Sequence, residues 1–274
     1  MASLREYASA RELLVNLTLR ELRSKYKKSV LGWTWSLLNP LSSVLIYTIV
    51  FSGFLDVQAP IGDPSGLDSF VFFLLCGLIP WNYIAGSISL SLETLVANGN
   101  LIKKVYFPRE LLVAATIASL LVTFAIELGV VCVILLIAGN MVLPWIPVAM
   151  VLMALLTCTV LGVGLILSVT NVYFRDVKHF VNIALQALFY SAPIVYPATL
   201  VPEHSTILGV SVPVRFLYNL NPVTRFIEAF RDVLYNLRFP SLSTSLYLVG
   251  WAAGSVAVGL WVFNKLEPRL AEEV

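Results

Sequence analysis

Six mostly apolar stretches, at about 33–55, 70–91, 111–138, 143–169, 180–197 and 246–263, constrain this chain more than any other feature. A bilayer core is spanned by about 20 apolar residues in a helix, because a backbone with no water nearby must satisfy its own N–H and C=O groups. Each stretch is near or above that length. With 58% hydrophobic and only 12% charged residues and a mean hydropathy of +0.86, the chain lacks the polar surface of a soluble globule, where about 25% of residues are charged. The expectation is an all-α integral membrane protein: one domain over residues 1–274, with six transmembrane helices across 32–264. The fifth stretch is the weakest, since Asn182, Gln186 and Pro193 interrupt it and the apolar run at 207–214 competes with it.

Residues 1–31 read as an amphipathic helix. Val15, Leu19, Leu22 and Tyr26 recur at i, i+4, i+7 and i+11, and Asn16, Arg20, Arg23 and Lys27 repeat that spacing one residue later. An apolar stripe beside a cationic one suits a helix lying in the membrane interface, with an ordinary solvated helix as the alternative. Trp33 and Trp35 come next, at the start of the first apolar stretch, where aromatic side chains favour the headgroup level. Arg20, Arg23, Lys27, Trp33 and Trp35 are therefore the expected membrane-interface residues. Glu6, Glu12 and Glu21 and the long charged region do not fit a cleaved secretory signal.

The distribution of Lys and Arg sets the orientation. Fourteen of the 18 fall on alternate sides of the apolar stretches: Arg5, Arg11, Arg20, Arg23, Lys25, Lys27 and Lys28, then Lys103, Lys104 and Arg109, then Arg175 and Lys178, then Lys265 and Arg269. This places both termini and both basic loops in the cytoplasm, with 265–274 as a short tail. The other four, Arg215, Arg225, Arg231 and Arg238, lie in the irregular segment 198–245. There Asn221-Pro222 marks a helix start, and Phe226, Ala229, Phe230 and Val233 share one face of the helix that starts there. Short re-entrant or gate helices on the outer side are expected, a cap held by packing alone being the alternative.

Common catalytic apparatus is missing. No Gly is followed by Lys, so there is no phosphate loop for ATP, and neither an Asp-x-Asp pair nor a His-Glu-x-x-His occurs. Cys76, Cys132 and Cys158 sit far apart in apolar runs and suggest neither disulfides nor a metal site. No nucleic-acid partner is expected. Glu127, in the middle of the third stretch, must face protein or water; it lines a path or proton site, or it hydrogen-bonds between helices. Gly250-x-x-x-Gly254 and Ser255-x-x-x-Gly259 let a neighbouring helix approach closely. The loop LIKKVYFPRELL sets Tyr106 and Phe107 beside Lys103 and Lys104, a composition suited to docking a partner protein.

Taken in order, LTLRELRSKYKKSVLGWTWSLLNPLSSVLIYTIVF, GLIPWNYIAGSI, NGNLIKKVYFPRELL, NVYFRDVKHFVNIALQALFYSAPIVYP and the NPV segment resemble the permease subunit of type-2 ABC exporters for cell-surface polysaccharides and polyol phosphates. That family includes O-antigen, capsule, teichoic acid and galactan exporters, the O-antigen and galactan types being most similar. The resemblance implies a transport subunit of the bacterial inner membrane rather than an enzyme. It further implies a homodimer bound to two copies of a separate ATPase that holds ATP and Mg, with a lipid-linked glycan as substrate. Asn100, Lys103, Lys104, Tyr106, Phe107 and Arg109 would couple to the ATPase. Trp81, Tyr83, Glu127, Phe189, Tyr190 and Tyr196 would line the channel between protomers. Pro222, Arg225, Phe226 and Phe230 would belong to the outer gate. An ion-coupled secondary transporter and a membrane enzyme acting on lipid-linked sugars remain alternatives, though no internal repeat or second intramembrane charge supports the former.

Overall fold

The computed structural model describes residues 4–25, 29, 31–54, 58–105, 107–207 and 210–273; Tyr26, Lys27, Lys28 and Tyr106, which the sequence singles out, lie outside them. In chain order come α1 (Leu4–Lys25), α2 (Trp35–Tyr47) with a π-helical continuation through Phe54, α3 (Phe70–Ala97), α4 (Gly99–Lys104), α5 (Glu110–Ile137), α6 (Ile146–Tyr173) and α7 (Val177–Ser191). A small antiparallel pair, β1 (Ser205–Ile207) and β2 (Val210–Val212), precedes α8 (Val214–Asn219) and α9 (Pro222–Arg231). A π-helical turn over Asp232–Asn236 leads to α10 (Leu242–Leu266) and α11 (Leu270–Glu273).

Among the described residues, five helical stretches are long and apolar enough to cross a membrane: Leu37–Phe54, Phe70–Ala97, Glu110–Ile137, Leu143–Tyr173 and Leu242–Leu266. The chain is a multi-pass, predominantly helical membrane protein. The stretch expected at 180–197 takes another form, for α7 has 15 residues, roughly 22 Å at 1.5 Å per residue, against a hydrocarbon core of about 30 Å. Pro193 ends it locally, since it lacks an N–H and drives Ala192 into extended backbone (φ −98°, ψ 154°).

α3 is the centre of the bundle. Phe73, Leu74, Leu75, Cys76, Leu78 and Ile79 are buried in sequence, so the helix is covered on all sides rather than along a stripe. α6 and α10 make the closest approach. A Cβ on Gly162 would lie 2.1 Å from the Ser255 carbonyl carbon, and one on Gly259 would lie 2.5 Å from the Gly162 carbonyl oxygen, so backbone meets backbone with no room for a methyl group. Gly250 and Gly254, one turn further, meet nothing within 4 Å and are open on the surface. Buried polar groups add directional ties: the Thr94 and Thr116 hydroxyls are 3.1 Å apart between α3 and α5, and Asn171 Nδ2 of α6 donates to the Leu92 carbonyl of α3 at 2.8 Å.

These contacts sort the two ends of the bundle. At the basic end, Tyr173 Oη donates to the Leu266 carbonyl at 2.7 Å, Arg109 to the Glu267 carbonyl at 2.8 Å and Arg20 to Asn98 Oδ1 at 2.8 Å. At the opposite end, Asn140 Nδ2 donates to the Leu234 carbonyl at 2.8 Å, and Tyr235 Oη reaches the carbonyls of Pro60 at 3.0 Å and Leu67 at 2.9 Å. α1 packs against α5 through buried Leu17 and Leu22 with Leu13 and Leu14 beside them, while Val15 and Leu19 point outward. The apolar stripe read from spacing is thus split, with one part on the protein and another free to meet lipid.

Candidate functional site

An aromatic row runs where α2, α3 and α7 meet. The Phe189 ring on α7 lies 5.7 Å from Trp81 of α3, 5.9 Å from Tyr47 of α2 and 5.1 Å from Tyr190; Tyr47 in turn lies 6.2 Å from Phe51. Tyr196, beyond the break in α7, donates its hydroxyl to the Tyr190 carbonyl at 2.9 Å. Four of the sequence-derived aromatic residues, Trp81, Phe189, Tyr190 and Tyr196, therefore come together. Tyr83 does not join them. It is stacked on Phe124 at 4.6 Å in the core and donates to Thr157 Oγ1 at 3.0 Å. Two positions apart on a helix is about 200° around the axis, so Trp81 and Tyr83 face opposite ways. Tyr47 and Phe51 were not singled out from sequence, although Tyr47 continues a stripe at four-residue spacing through Trp35, Asn39 and Ser43.

That stripe of α2 walls a polar cavity of about 480 Å³, closed on the other sides by Asn82 of α3, Glu127 of α5 and Lys25 at the end of α1. Lys25 Nζ reaches Thr123 Oγ1 at 3.3 Å and acts electrostatically on the Glu127 carboxylate. Most of α2 is otherwise turned outward, with Leu38, Leu41, Leu45 and Ile46 exposed, and so is α7, where Phe180, Ile183 and Tyr190 are exposed and only Leu185 is buried. Two apolar helices with little internal packing, joined by a row of rings and a polar cavity, form the incomplete side of the bundle.

The segment from α9 to Asn236 closes the end away from the basic face. Asn221 caps α9 by accepting from the Val223 N–H at 3.0 Å, and Pro222 occupies the first turn, where its missing N–H has no cost. Phe226, Ile227, Ala229, Phe230, Val233 and Leu234 are all buried. Phe230 meets Phe124 edge-on at 5.8 Å, near the middle of α5, so α9 is inserted into the bundle instead of lying on it. Arg225 donates from Nε to the Asn219 carbonyl at 2.9 Å and from Nη1 to Thr244 Oγ1 at 3.4 Å.

The residue that sequence reasoning passed over is Arg231. It is 5% exposed, and its guanidinium donates to the carbonyls of Phe73 at 3.2 Å, Ile194 at 2.6 Å and Pro193. Its Cζ sits 3.6 Å from the centre of the Phe73 ring. Among the described residues it has no carboxylate partner. Gly77 leaves room for it, since a Cβ there would lie 2.6 Å from Nη2. One planar fork thus ties α9 to α3 and to the turn that follows α7.

At the basic end, Asn100, Lys103 and Lys104 are exposed on α4, while Ile102 anchors the helix in the core and Phe107 packs against it. Arg109 turns the other way, toward Glu267. Burial, with Glu110 nearby, raises the Glu267 carboxyl above the usual carboxylate value, and Arg109 opposes that rise. Arg20 and Arg23 are exposed on α1, and Trp35 is exposed at the head of α2; Trp33 lies in a 3-10 turn before it. Among the described residues no three His, Cys, Asp or Glu side chains converge as a metal site would need.

Sequence comparison supplies the family for this set of helical spans, polar cavity, aromatic row and inserted α9. Residues 12–235 match the family model for ABC-2 type transporters; the chain belongs to that family. It is 33% identical to the O-antigen export system permease protein RfbA of Klebsiella pneumoniae over 95% of this chain and 94% of that one. A protein of the same name from Myxococcus xanthus is 27% identical over 92% and 94%. The polysialic acid transport protein KpsM of Escherichia coli is 27% identical over 93% of both chains.

Proposed function

We propose that this chain is the membrane subunit of an ATP-driven exporter that moves a lipid-linked, O-antigen-like polysaccharide across the bacterial inner membrane. The basic end faces the cytoplasm with both termini, a placement that the Lys and Arg distribution supports. α7 with the segment through Tyr196 is the sixth membrane element, short because its partner surface is protein rather than lipid. Two copies associate through the incomplete side carrying α2 and α7, and the glycan passes between them. The observation that carries this is the aromatic row of Tyr47, Trp81, Phe189 and Tyr190 set between two helices that bury little of their own surface. Sugar rings stack on aromatic faces through apolar contact, and a succession of such weak sites lets a long chain slide. α9, held by Arg231, is the outer gate.

This chain lacks a phosphate loop, so ATP and Mg are bound by a separate ATPase, two copies per dimer. It docks on the exposed side of α4 through Asn100, Lys103 and Lys104, with Tyr106, Phe107 and Arg109 as the remaining coupling residues. The test is reconstitution of the chain with its partner ATPase in vesicles loaded with lipid-linked glycan. ATP-dependent appearance of glycan on the far side is expected. Transport of some other solute by the chain alone, driven by an ion gradient and without the ATPase, would overturn the proposal.

A further inference from the structure

The polar cavity under α2 is chemically unlike the aromatic row above it. Trp35, Asn39 and Ser43 recur at i, i+4 and i+8 and so present one face of α2 to it, and Asn82 and Glu127 close it from α3 and α5. Glu127 lies roughly 25 Å along α5 from its first residue, well inside the span and far from either end. Neither Asn39 nor Asn82 spends its side-chain amide on a hydrogen bond with any described residue. Ser43 Oγ donates to the Asn39 carbonyl at 3.1 Å, which leaves its lone pairs turned to the cavity. A carboxylate inside the span, faced by Lys25, and two amides border a space of about 480 Å³, and a polar ligand there would satisfy groups that are otherwise costly to hold away from water.

The geometry points to a sugar-binding subsite: one neutral pyranose residue of the glycan held by Glu127, Asn82, Asn39 and Ser43, with Trp35 against its apolar face. Vicinal hydroxyls both donate and accept, which matches a carboxylate acceptor flanked by amides that do both. A charge-assisted hydrogen bond from a hydroxyl to the carboxylate is the strongest contact available there. A phosphate group fits less well, because Glu127 repels it and Lys25 is the only cation among the described residues that line the cavity. The site also has an exit. Tyr47 stands one turn beyond Ser43 on the same face of α2 and touches Phe189, and Trp81 adjoins Asn82, so a ring leaving the cavity meets the aromatic row next. This inference rests on the proposed glycan export.

The test uses the full-length protein with its ATPase in cells that make the glycan, with a small diazirine amino acid at Ser43 and, separately, an aryl azide in place of Phe189. Glycan-conjugated protein is read on gels after illumination. Glycan is expected on both probes, with the ratio of Ser43 to Phe189 conjugate falling about tenfold in Glu127→Gln, which keeps the side-chain shape, and in Asn82→Ser. Conjugation at Phe189 but not at Ser43 overturns the subsite and leaves glycan export standing. Phospholipid alone on the Ser43 probe overturns it as well, by identifying a headgroup as the occupant. No glycan on either probe overturns glycan export itself. An unchanged ratio in both variants refutes the assignment of Glu127 and Asn82.

Discussion

Replacing Arg231 should loosen the end of the bundle away from the basic face and little else. The guanidinium makes three hydrogen bonds to carbonyls, at Phe73, Pro193 and Ile194, gross contributions of about 1.5–3 kcal/mol each for a charged donor. Burying the cation costs several kcal/mol in the other direction. Arg231→Met removes both and fills part of the space, but it leaves the Pro193 and Ile194 carbonyls, which lie past the end of α7, without their donor at about 1–3 kcal/mol each. The Phe73 carbonyl suffers less because it lies within α3. A net loss of about 3 kcal/mol results, about a hundredfold in the local opening equilibrium. Arg231→Lys should be no better, since a single ammonium keeps the burial cost and cannot span three acceptors. Gly77→Ala gives an independent perturbation without changing charge, because its Cβ would meet Nη2 at 2.6 Å. Hydrogen exchange on protein in lipid nanodiscs reads the effect: peptides covering 192–200 and 222–241 should exchange about a hundredfold faster, with α6 and α10 unchanged. Wild-type protection of both peptides in all three variants would refute the idea that this side chain holds the gate.

Charge reversal at Lys103 and Lys104 should lower ATPase binding in pull-down and remove its stimulation, since both ammonium groups stand clear of the fold; normal binding would exclude α4 as the docking surface. Gly162→Val should prevent α6 and α10 from meeting, a cost above about 3 kcal/mol by analogy with overpacked cores, seen as loss of monodisperse protein in size-exclusion chromatography. Asn140→Ala should lower stability by about 1–2 kcal/mol through the lost bond to the Leu234 carbonyl, measured as a lower melting temperature in detergent. The raised carboxyl of Glu267 predicts a pH effect. An acid whose folded value exceeds its unfolded one favours the folded state when protonated, so its contribution is complete below the ordinary carboxylate value and is lost as pH rises through the raised one. Melting temperatures should fall across that window in wild type, and Glu267→Gln should flatten that part of the curve.

The long spans were legible because an apolar run is a one-dimensional signal, and the apolar stretches around α3, α5, α6 and α10 needed no knowledge of their neighbours. The short α7 was written in Pro193 as well, but apolar residues on both sides of the break read as one stretch. Arg231 carried a signal that went unused: with Ile227 and Leu234 it forms an i, i+4, i+7 row that shares the buried side of the helix. A cation in an outer segment reads first as an exception to a charge rule, and only the fold shows three carbonyls waiting for it. Tyr83 is grouped with Trp81 through the family resemblance, by its position in GLIPWNYIAGSI; its stacking on Phe124, away from the aromatic row, comes from another helix. Pairings such as Tyr47 with Phe189, or Asn82 with Glu127, join elements far apart in the chain, and local spacing contains nothing about them.

The intimate seam between α6 and α10 also bears on how the protein is made. α6 is complete by Tyr173, yet the surface that fits its Gly162 belongs to Ser255 and Gly259, which are synthesised much later, on α10. During translation α6 waits in the bilayer with the flank around Gly162 uncovered, and this seam closes only when α10 has emerged. A chain cut before α10 would leave Gly162 facing lipid, so the central helices depend for their packing on a partner that is made long after them.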